Sequence, residues 1–128
     1  MKLTILRLQR LSAQDLVDLS KIWPQDDPAD LENRLDDRHR LYAAKFNDRL
    51  LAAVKVTLNE AQGELKDFMV REVTRRRGVG SYLLEEVLAQ NAAVTRWRMA
   101  KTGDEGLSTF MRKQGFIADA DGWVWQRA

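Results

Sequence analysis

A strand that runs into a glycine-punctuated turn and straight on into a helix is the feature that most restricts this chain. It lies in Val70-Arg71-Glu72-Val73-Thr74-Arg75-Arg76-Arg77-Gly78-Val79-Gly80-Ser81-Tyr82-Leu83-Leu84. Before it, residues 65–70 read as a strand. After it, Leu83, Leu84, Val87 and Leu88 make an apolar stripe at helical spacing, with Glu85, Glu86 and Gln90 off it. The first N–H groups of a helix have no partner inside it, and the helix dipole adds partial positive charge there. Glycine lets the backbone approach an anion closely because no Cβ intervenes. The segment therefore has the makings of a phosphate cradle with arginine charge around it.

The rest of the chain supplies a sheet for that helix to pack on. Residues 2–9, with Leu3, Ile5 and Leu8, read as a first strand. Ser12 takes an N-cap position, and Asp15 three residues on makes an imperfect capping box. Leu16, Leu19 and Trp23 share one helical face until Pro24 stops the helix. A turn over residues 25–28 precedes a short charged helix at 30–34. Residues 41–46 and 50–58 are strands joined by Asn47-Asp48-Arg49, a hairpin pattern. Residues 59–64 read as a polar turn before the strand at 65–70.

Beyond the central helix come a turn and strand over residues 92–100. A helix beginning at Gly103-Asp104-Glu105 carries Leu107, Phe110 and Met111, and Gly115 ends it in the C′ position. Phe116-Ile117 and Trp123-Val124-Trp125 form a closing hairpin. The order is β-α-(α)-β-β-β-α-β-α-β-β, an α/β class. Helix-linked strands pair parallel and hairpin-linked strands antiparallel, so the sheet is mixed. At 128 residues, with no repeat or linker, the expectation is one domain.

Composition excludes several chemistries. Cysteine is absent and His39 is the only histidine, so there is no disulfide, no thiol nucleophile and no Cys/His zinc site. The formal net charge is +2, too small for a dedicated polyanion binder. The N-terminus lacks the apolar run of a signal peptide, and no window approaches a membrane span. A cytoplasmic protein, with no membrane and no nucleic acid among its partners, is expected.

Two familiar phosphate motifs fail. Leu83 stands where the third glycine of G-x-G-x-x-G belongs, and no Gly-Lys-Ser/Thr follows for a Walker loop. The run does match Arg/Gln-x-x-Gly-x-Gly/Ala, here Arg75-Arg76-Arg77-Gly78-Val79-Gly80. On residues alone, the glycines also read as a plain helix-entry turn, and the arginines as a solvated or nucleic-acid-facing patch. The motif resembles the acetyl-coenzyme A pyrophosphate loop of the GNAT acyltransferase superfamily. The element order and Gly115-Phe116 after the last helix resemble that fold from end to end.

This resemblance implies a GNAT domain over residues 1–128: a mixed, mostly antiparallel, twisted sheet with flanking helices. It implies coenzyme A or acetyl-coenzyme A as cofactor, held by Thr74, Arg75, Arg76, Arg77, Gly78, Val79, Gly80 and Ser81. It also implies that the fourth and fifth strands splay apart. The pantetheine arm then lies in the gap, against backbone at Phe68, Met69 and Val70.

Acetyl transfer from a thioester needs a base for the amine and an acid for the leaving thiolate. In many GNAT enzymes the acid is a tyrosine in a Phe-Tyr-x-x-x-Gly-Phe run. Here the run is Phe110-Met111-Arg112-Lys113-Gln114-Gly115-Phe116, and the thioether of Met111 has no proton to give. Tyr42 and Tyr82 do not match the acid position. Glu72 reads as a base or as a partner for the arginines, and His39 as a solvated loop residue. No catalytic residue is assigned and no metal site is expected. The pattern suggests a binding module on an enzyme fold.

Longer stretches resemble one GNAT branch, the regulatory and maturation factors of aspartate α-decarboxylase in pantothenate synthesis. They are Ile22-Trp23-Pro24, Leu50-Leu51-Ala52-Ala53-Val54, the run from Arg71 to Gly80, and Tyr82-Leu83-Leu84-Glu85-Glu86-Val87-Leu88. The resemblance implies a partner, the decarboxylase as zymogen and as mature enzyme, met as a hetero-oligomer. The factor, loaded with cofactor, favours self-cleavage of the zymogen to its pyruvoyl form and restrains the mature enzyme. It also implies partner contact at Lys45 and Asn47. The family's Arg-Phe-Asn is here Lys45-Phe46-Asn47, and lysine keeps the charge while losing the bidentate fork. The alternative from the same fold is an active N-acetyltransferase acting on an amine or protein.

Overall fold

The computed structural model describes residues 3–70, 78–100 and 105–126. Their order is β1 (Thr4–Leu8), α1 (Ala13–Ile22), α2 (Pro28–Arg34), β2 (His39–Phe46), β3 (Arg49–Asn59), β4 (Gln62–Val70), α3 (Val79–Gln90), β5 (Arg96–Ala100), α4 (Glu105–Lys113), β6 (Ile117–Ala118) and β7 (Gly122–Gln126). The strands form one sheet in the order β1-β2-β3-β4-β5-β7-β6. Only β4 and β5 pair parallel; every other described pair is antiparallel. The expected order and the mixed sheet are both present. No helix among the described residues is long and apolar enough to cross a membrane.

Both faces of the sheet are covered, which explains why β2 and β3 read as near-continuous apolar runs. Tyr42, Ala44, Ala52, Val54 and Val56 face the core that also holds Leu83, Leu84 and Val87 of α3 and Met111 of α4. Leu41, Ala43, Leu50 and Ala53 face the other way, against Leu19, Ile22 and Trp23 of the α1 side. The pairing steps from Ala44↔Ala52 to Lys45↔Leu50, so Leu51 is an extra residue. That bulge brings Leu50 onto the same face as Ala53, since each residue inserted flips the pleat.

α1 starts as expected. Ser12 accepts a hydrogen bond from the Asp15 N–H, and Asp15 in turn accepts from the Ser12 N–H, a complete capping box. Its buried face differs from the expected one, because Asp15 and Asp18 are buried with Leu19 and Ile22. The Asp18 carboxylate accepts from Arg49 Nη2 at 2.7 Å, the Leu50 N–H at 3.0 Å and Gln14 Nε2 at 3.1 Å. Burial alone pushes this carboxyl up. The bonds from Arg49, Leu50 and Gln14, and the Arg49 charge, outweigh it and hold the group below its usual range. Asp18 thus fastens α1 to the start of β3.

Two boundaries move and a third is not described. α2 begins at Pro28 because the Asp27 side chain caps the Ala29 N–H and proline suits the first turn. β4 begins at Gln62, since Glu60, at φ 57, and Ala61 suffice to turn the chain. α4 is described from Glu105, and the expected start at Gly103-Asp104 lies outside the described residues.

Candidate functional site

β4, α3 and α4 converge at one end of the sheet. The parallel ladder between β4 and β5 runs from Gln62↔Arg96 to Leu65↔Met99 and stops. β4 continues to Val70, while β5, paired with β7 along its whole other edge, ends at Ala100. Residues 66–70 run on past the last described pair of that ladder, and the expected splay falls beside residues 101–104, which lie outside the described residues. β4 also bulges here: Ala53 faces Met69 and Lys55 faces Lys66, leaving Asp67 and Phe68 opposite Val54.

Gly78 is the N-cap of α3, at φ 77 and ψ 4. A Cβ built there meets nothing within 4 Å. The left-handed dihedral, not crowding, is what requires glycine, and the space beside it is open. α1 and α2 each satisfy an N-terminal amide with their own Ser12 or Asp27 side chain and carry Asp15 or Asp30 in the first turn. α3 has neither a side-chain cap nor an acid in its first turn. Helical bonding starts with the Tyr82 N–H donating to the Gly78 carbonyl at 3.0 Å. The amides of Val79, Gly80 and Ser81 therefore form the positive end of an uncapped dipole.

Gly80 works differently. A Cβ on it meets Val70 Cγ2 at 3.2 Å, Phe68 Cζ at 3.3 Å and Phe110 Cζ at 3.5 Å. Lacking one, α3 settles directly on the end of β4. The Phe68 and Phe110 rings stack with centroids 5.4 Å apart, and Gln114 Nε2 donates to Ser81 Oγ at 3.0 Å. α4 is thereby tied to both β4 and α3. Of the expected cofactor residues, Phe68, Met69, Val70, Gly78, Val79, Gly80 and Ser81 are brought together. Val79 is buried, so its amide is the part that can serve an anion. Thr74, Arg75, Arg76 and Arg77, with Glu72, lie outside the described residues.

These residues fit a pyrophosphate-bearing cofactor. An uncapped helix N-terminus and a left-handed glycine with open space beside it are what such a group needs. Among the described residues no cluster of His, Asp or Glu could hold a metal. An open cavity of about 370 Å³, lined by Thr57, Gln62, Glu64, Arg98, Met99 and Asp121 among others, lies where β4 and β5 are still paired. None of the candidate residues lines it.

Met111 is completely buried, in the core that also holds Phe116 and Trp123. It is a packing residue. His39 is exposed at the start of β2, its Nδ1 3.0 Å from Asp36 Oδ1. The His39 N–H, the His39 ring and the Arg38 N–H together hold the Asp36 carboxyl below its usual range. His39 pairs with Thr57, and Thr57 with Glu64. That is the far end of the sheet from Val70, so His39 stands away from the cradle.

Lys45 and Asn47 are at the near end. Asn47, at φ 50, and Asp48, at φ 63, both adopt left-handed dihedrals between the closing pair Phe46↔Arg49. This is the two-residue hairpin turn whose twist matches the strands. Lys45 faces Leu50, and Ala52, two residues along β3, faces Val70. The hairpin tip and the end of β4 thus share one end of the sheet. Residue patterns missed the Phe68–Phe110 stack and the fit of Gly80 under it. Both depend on tertiary approach, and only the glycine itself gave a sign.

Residues 2–124 match the family described as "Acetyltransferase (GNAT) domain, PanZ". The chain is 57% identical over 126 residues to the PanD regulatory factor of Escherichia coli (strain K12), across 96% of this chain and 98% of that protein. It is 54% identical over 126 residues, with the same coverage, to the PanD regulatory factor of Salmonella typhimurium (strain LT2). The solution NMR structure of E. coli YhhK bound to coenzyme A matches with a TM-score of 0.87 at 53% identity, over 98% of this chain and 99% of that one. The seven-stranded mixed sheet with its flanking helices is the GNAT acetyltransferase fold, and the chain belongs to the PanZ family of GNAT domains.

Proposed function

We propose that this chain, loaded with coenzyme A or acetyl-coenzyme A, binds the aspartate α-decarboxylase (PanD) zymogen. It favours the backbone conformation in which the zymogen cleaves its own Gly-Ser bond to form the pyruvoyl group. In the same complex it restrains the mature enzyme, which ties β-alanine and pantothenate supply to the cofactor level. The relatives named as PanD regulatory factors support this reading, and YhhK, solved with coenzyme A, supports the choice of cofactor.

The observation that carries it is the shared sheet end. An uncapped, glycine-led helix N-terminus and the Lys45–Asn47 hairpin flank the same stretch of β3. When bound, coenzyme A supplies phosphate charge at the cradle. The N–H groups of Val79, Gly80 and Ser81 would donate to those phosphates, with Arg75, Arg76 and Arg77 preceding them in sequence. The backbone of Phe68, Met69 and Val70 would hold the arm. Lys45 and Asn47 then meet the zymogen beside it. A ligand shifts a binding equilibrium only through contacts that differ between the two states, and this adjacency allows the difference. The buried thioether at position 111 offers no proton to a leaving thiolate, which favours a binding role over acetyl transfer.

The test mixes purified zymogen with this protein, with and without coenzyme A, and follows the two cleavage products by mass. Faster cleavage only with coenzyme A, together with a complex on a sizing column, is the expected result. An unchanged cleavage rate and no complex under either condition refutes the reading.

A further inference from the structure

The bulge that turns the end of β4 is gripped from the opposite face of the sheet. Asp67 has φ 52, a left-handed conformation that aspartate adopts more readily than most residues with a Cβ. Its carbonyl accepts a hydrogen bond from Trp23 Nε1 at 2.8 Å. Its carboxylate accepts one from Lys55 Nζ at 2.8 Å. The same Nζ bonds the carboxylate of Asp26 and lies 4.7 Å from the centre of the Trp23 ring. Trp23 is itself buried and fixed as the C-cap of α1, its N–H bonded to the Leu19 carbonyl at 2.8 Å.

Val54 and Val56 face the α3 side, so Lys55 between them faces the α1 side. The helix α1 thus reaches through a cation to the one irregular residue of β4. Phe68, Met69 and Val70 follow directly. Burial pushes the Lys55 ammonium down, but the bonds to Asp26 and Asp67 and their charges outweigh it. The group therefore stays charged throughout the neutral range.

We infer that Trp23, Lys55 and Asp26 form a clamp on the Asp67 bulge, and that Lys55 is a positioning residue for the pantetheine arm. The inference rests on the cofactor reading above. Lys55 does not touch the cofactor. It fixes the direction in which β4 leaves the ladder, and so the backbone that the arm meets. The phosphate cradle at α3 is built from backbone amides on the opposite side of β4 from Lys55, although Gly80 rests on Phe68 and Val70.

That separation gives the test. Titration calorimetry compares coenzyme A with adenosine 3′-phosphate 5′-diphosphate, which keeps the pyrophosphate and lacks the arm, on the wild-type chain, Lys55→Met and Lys55→Arg. Lys55→Met weakens coenzyme A on the order of tenfold, comparable to losing one charge-assisted hydrogen bond, and leaves the armless nucleotide within about twofold. Lys55→Arg restores coenzyme A binding, since arginine keeps the charge, both carboxylate bonds and the stacking on Trp23. Equal losses for both ligands, or none for coenzyme A, overturn the clamp. A wild-type chain that binds neither ligand overturns the cofactor reading, and the clamp's role with it.

Discussion

Replacing Gly78 by alanine isolates a single energy. Space is not an obstacle, since a Cβ there meets nothing within 4 Å. The dihedral is: at φ 77 and ψ 4 the residue is left-handed, and a Cβ in that region costs about 1–2 kcal/mol. A small part returns because alanine restricts the unfolded chain, so the net loss is about 1 kcal/mol. For a chain of this length that lowers the melting temperature by roughly 3–6 °C. Gly78→Asn should fall less, because asparagine tolerates the left-handed region better than alanine.

Gly80→Ala is the control, with the opposite balance. The helical position gains about 1 kcal/mol of propensity, while the new methyl must displace Val70 Cγ2 and Phe68 Cζ, at 3.2 and 3.3 Å, by a few tenths of an ångström. Both obstacles are side-chain ends, so melting should change little. Circular-dichroism melts and urea titrations of the three variants check the order wild type, Gly80→Ala and Gly78→Asn above Gly78→Ala. A Gly78→Ala protein that melts with wild type, or an asparagine variant below it, would show that the dihedral is not why glycine stands there.

Asp18→Asn should cost about 3 kcal/mol in urea titration, the low end for breaking a buried ion pair, because Arg49 is 42% exposed and can regain water. Since the folded carboxyl titrates below its ordinary value of 3.8, its stabilisation is present above that pH and lost as pH falls through the folded value. The gap between wild type and Asp18→Asn should therefore narrow progressively as pH falls from 3.8 through the folded value; a gap that widens on acidification contradicts the assignment. Incubated with acetyl-coenzyme A and amines or peptides, the protein should consume thioester no faster than buffer does. Multiple turnovers that vanish in Gly78→Asp would make it an acetyltransferase instead.

Local chemistry was legible in the residues, and tertiary chemistry was not. The cradle could be read because a left-handed N-cap selects glycine through its own dihedrals. The capping box at Ser12 and Asp15 is equally local. β4 was read short because Gln62, Gly63 and Glu64 have the composition of a turn. In the fold, Gly63 lies under the Trp97 ring, where a Cβ would stand 2.6 Å from it, and Glu64 borders the open cavity. Leu16 was expected on the buried face of α1, yet Asp18 is fully buried there, because Arg49 and the Leu50 N–H meet its charge. The bulges at Leu51 and Asp67 leave no mark in the pattern. Each is one extra residue in a run that is apolar or polar regardless.

In the proposed complex, those two bulges lie between the cofactor and the partner contacts. Both lie toward the same end of β3, one against β2 and one against β4. From Ala52, which faces Val70, to Arg49, which closes the hairpin, is about 10 Å of strand. Along that stretch the two faces are held by different groups. Phe68 and Gly80 fix β4 from the α3 side, while Asp18–Arg49 and the Trp23–Lys55 clamp fix β3 and β4 from the α1 side. Packed cores pass on displacements because they contain few voids to absorb them. An arm seated against Phe68 to Val70 therefore acts on a strand whose other neighbour leads directly to Lys45 and Asn47. Loosening the α1 side, by Lys55→Met or Asp18→Asn, should weaken the dependence of zymogen binding on coenzyme A even where the zymogen contacts are untouched. Pull-down of zymogen without and with saturating coenzyme A measures this, and a dependence equal to wild type in both variants would place the coupling elsewhere.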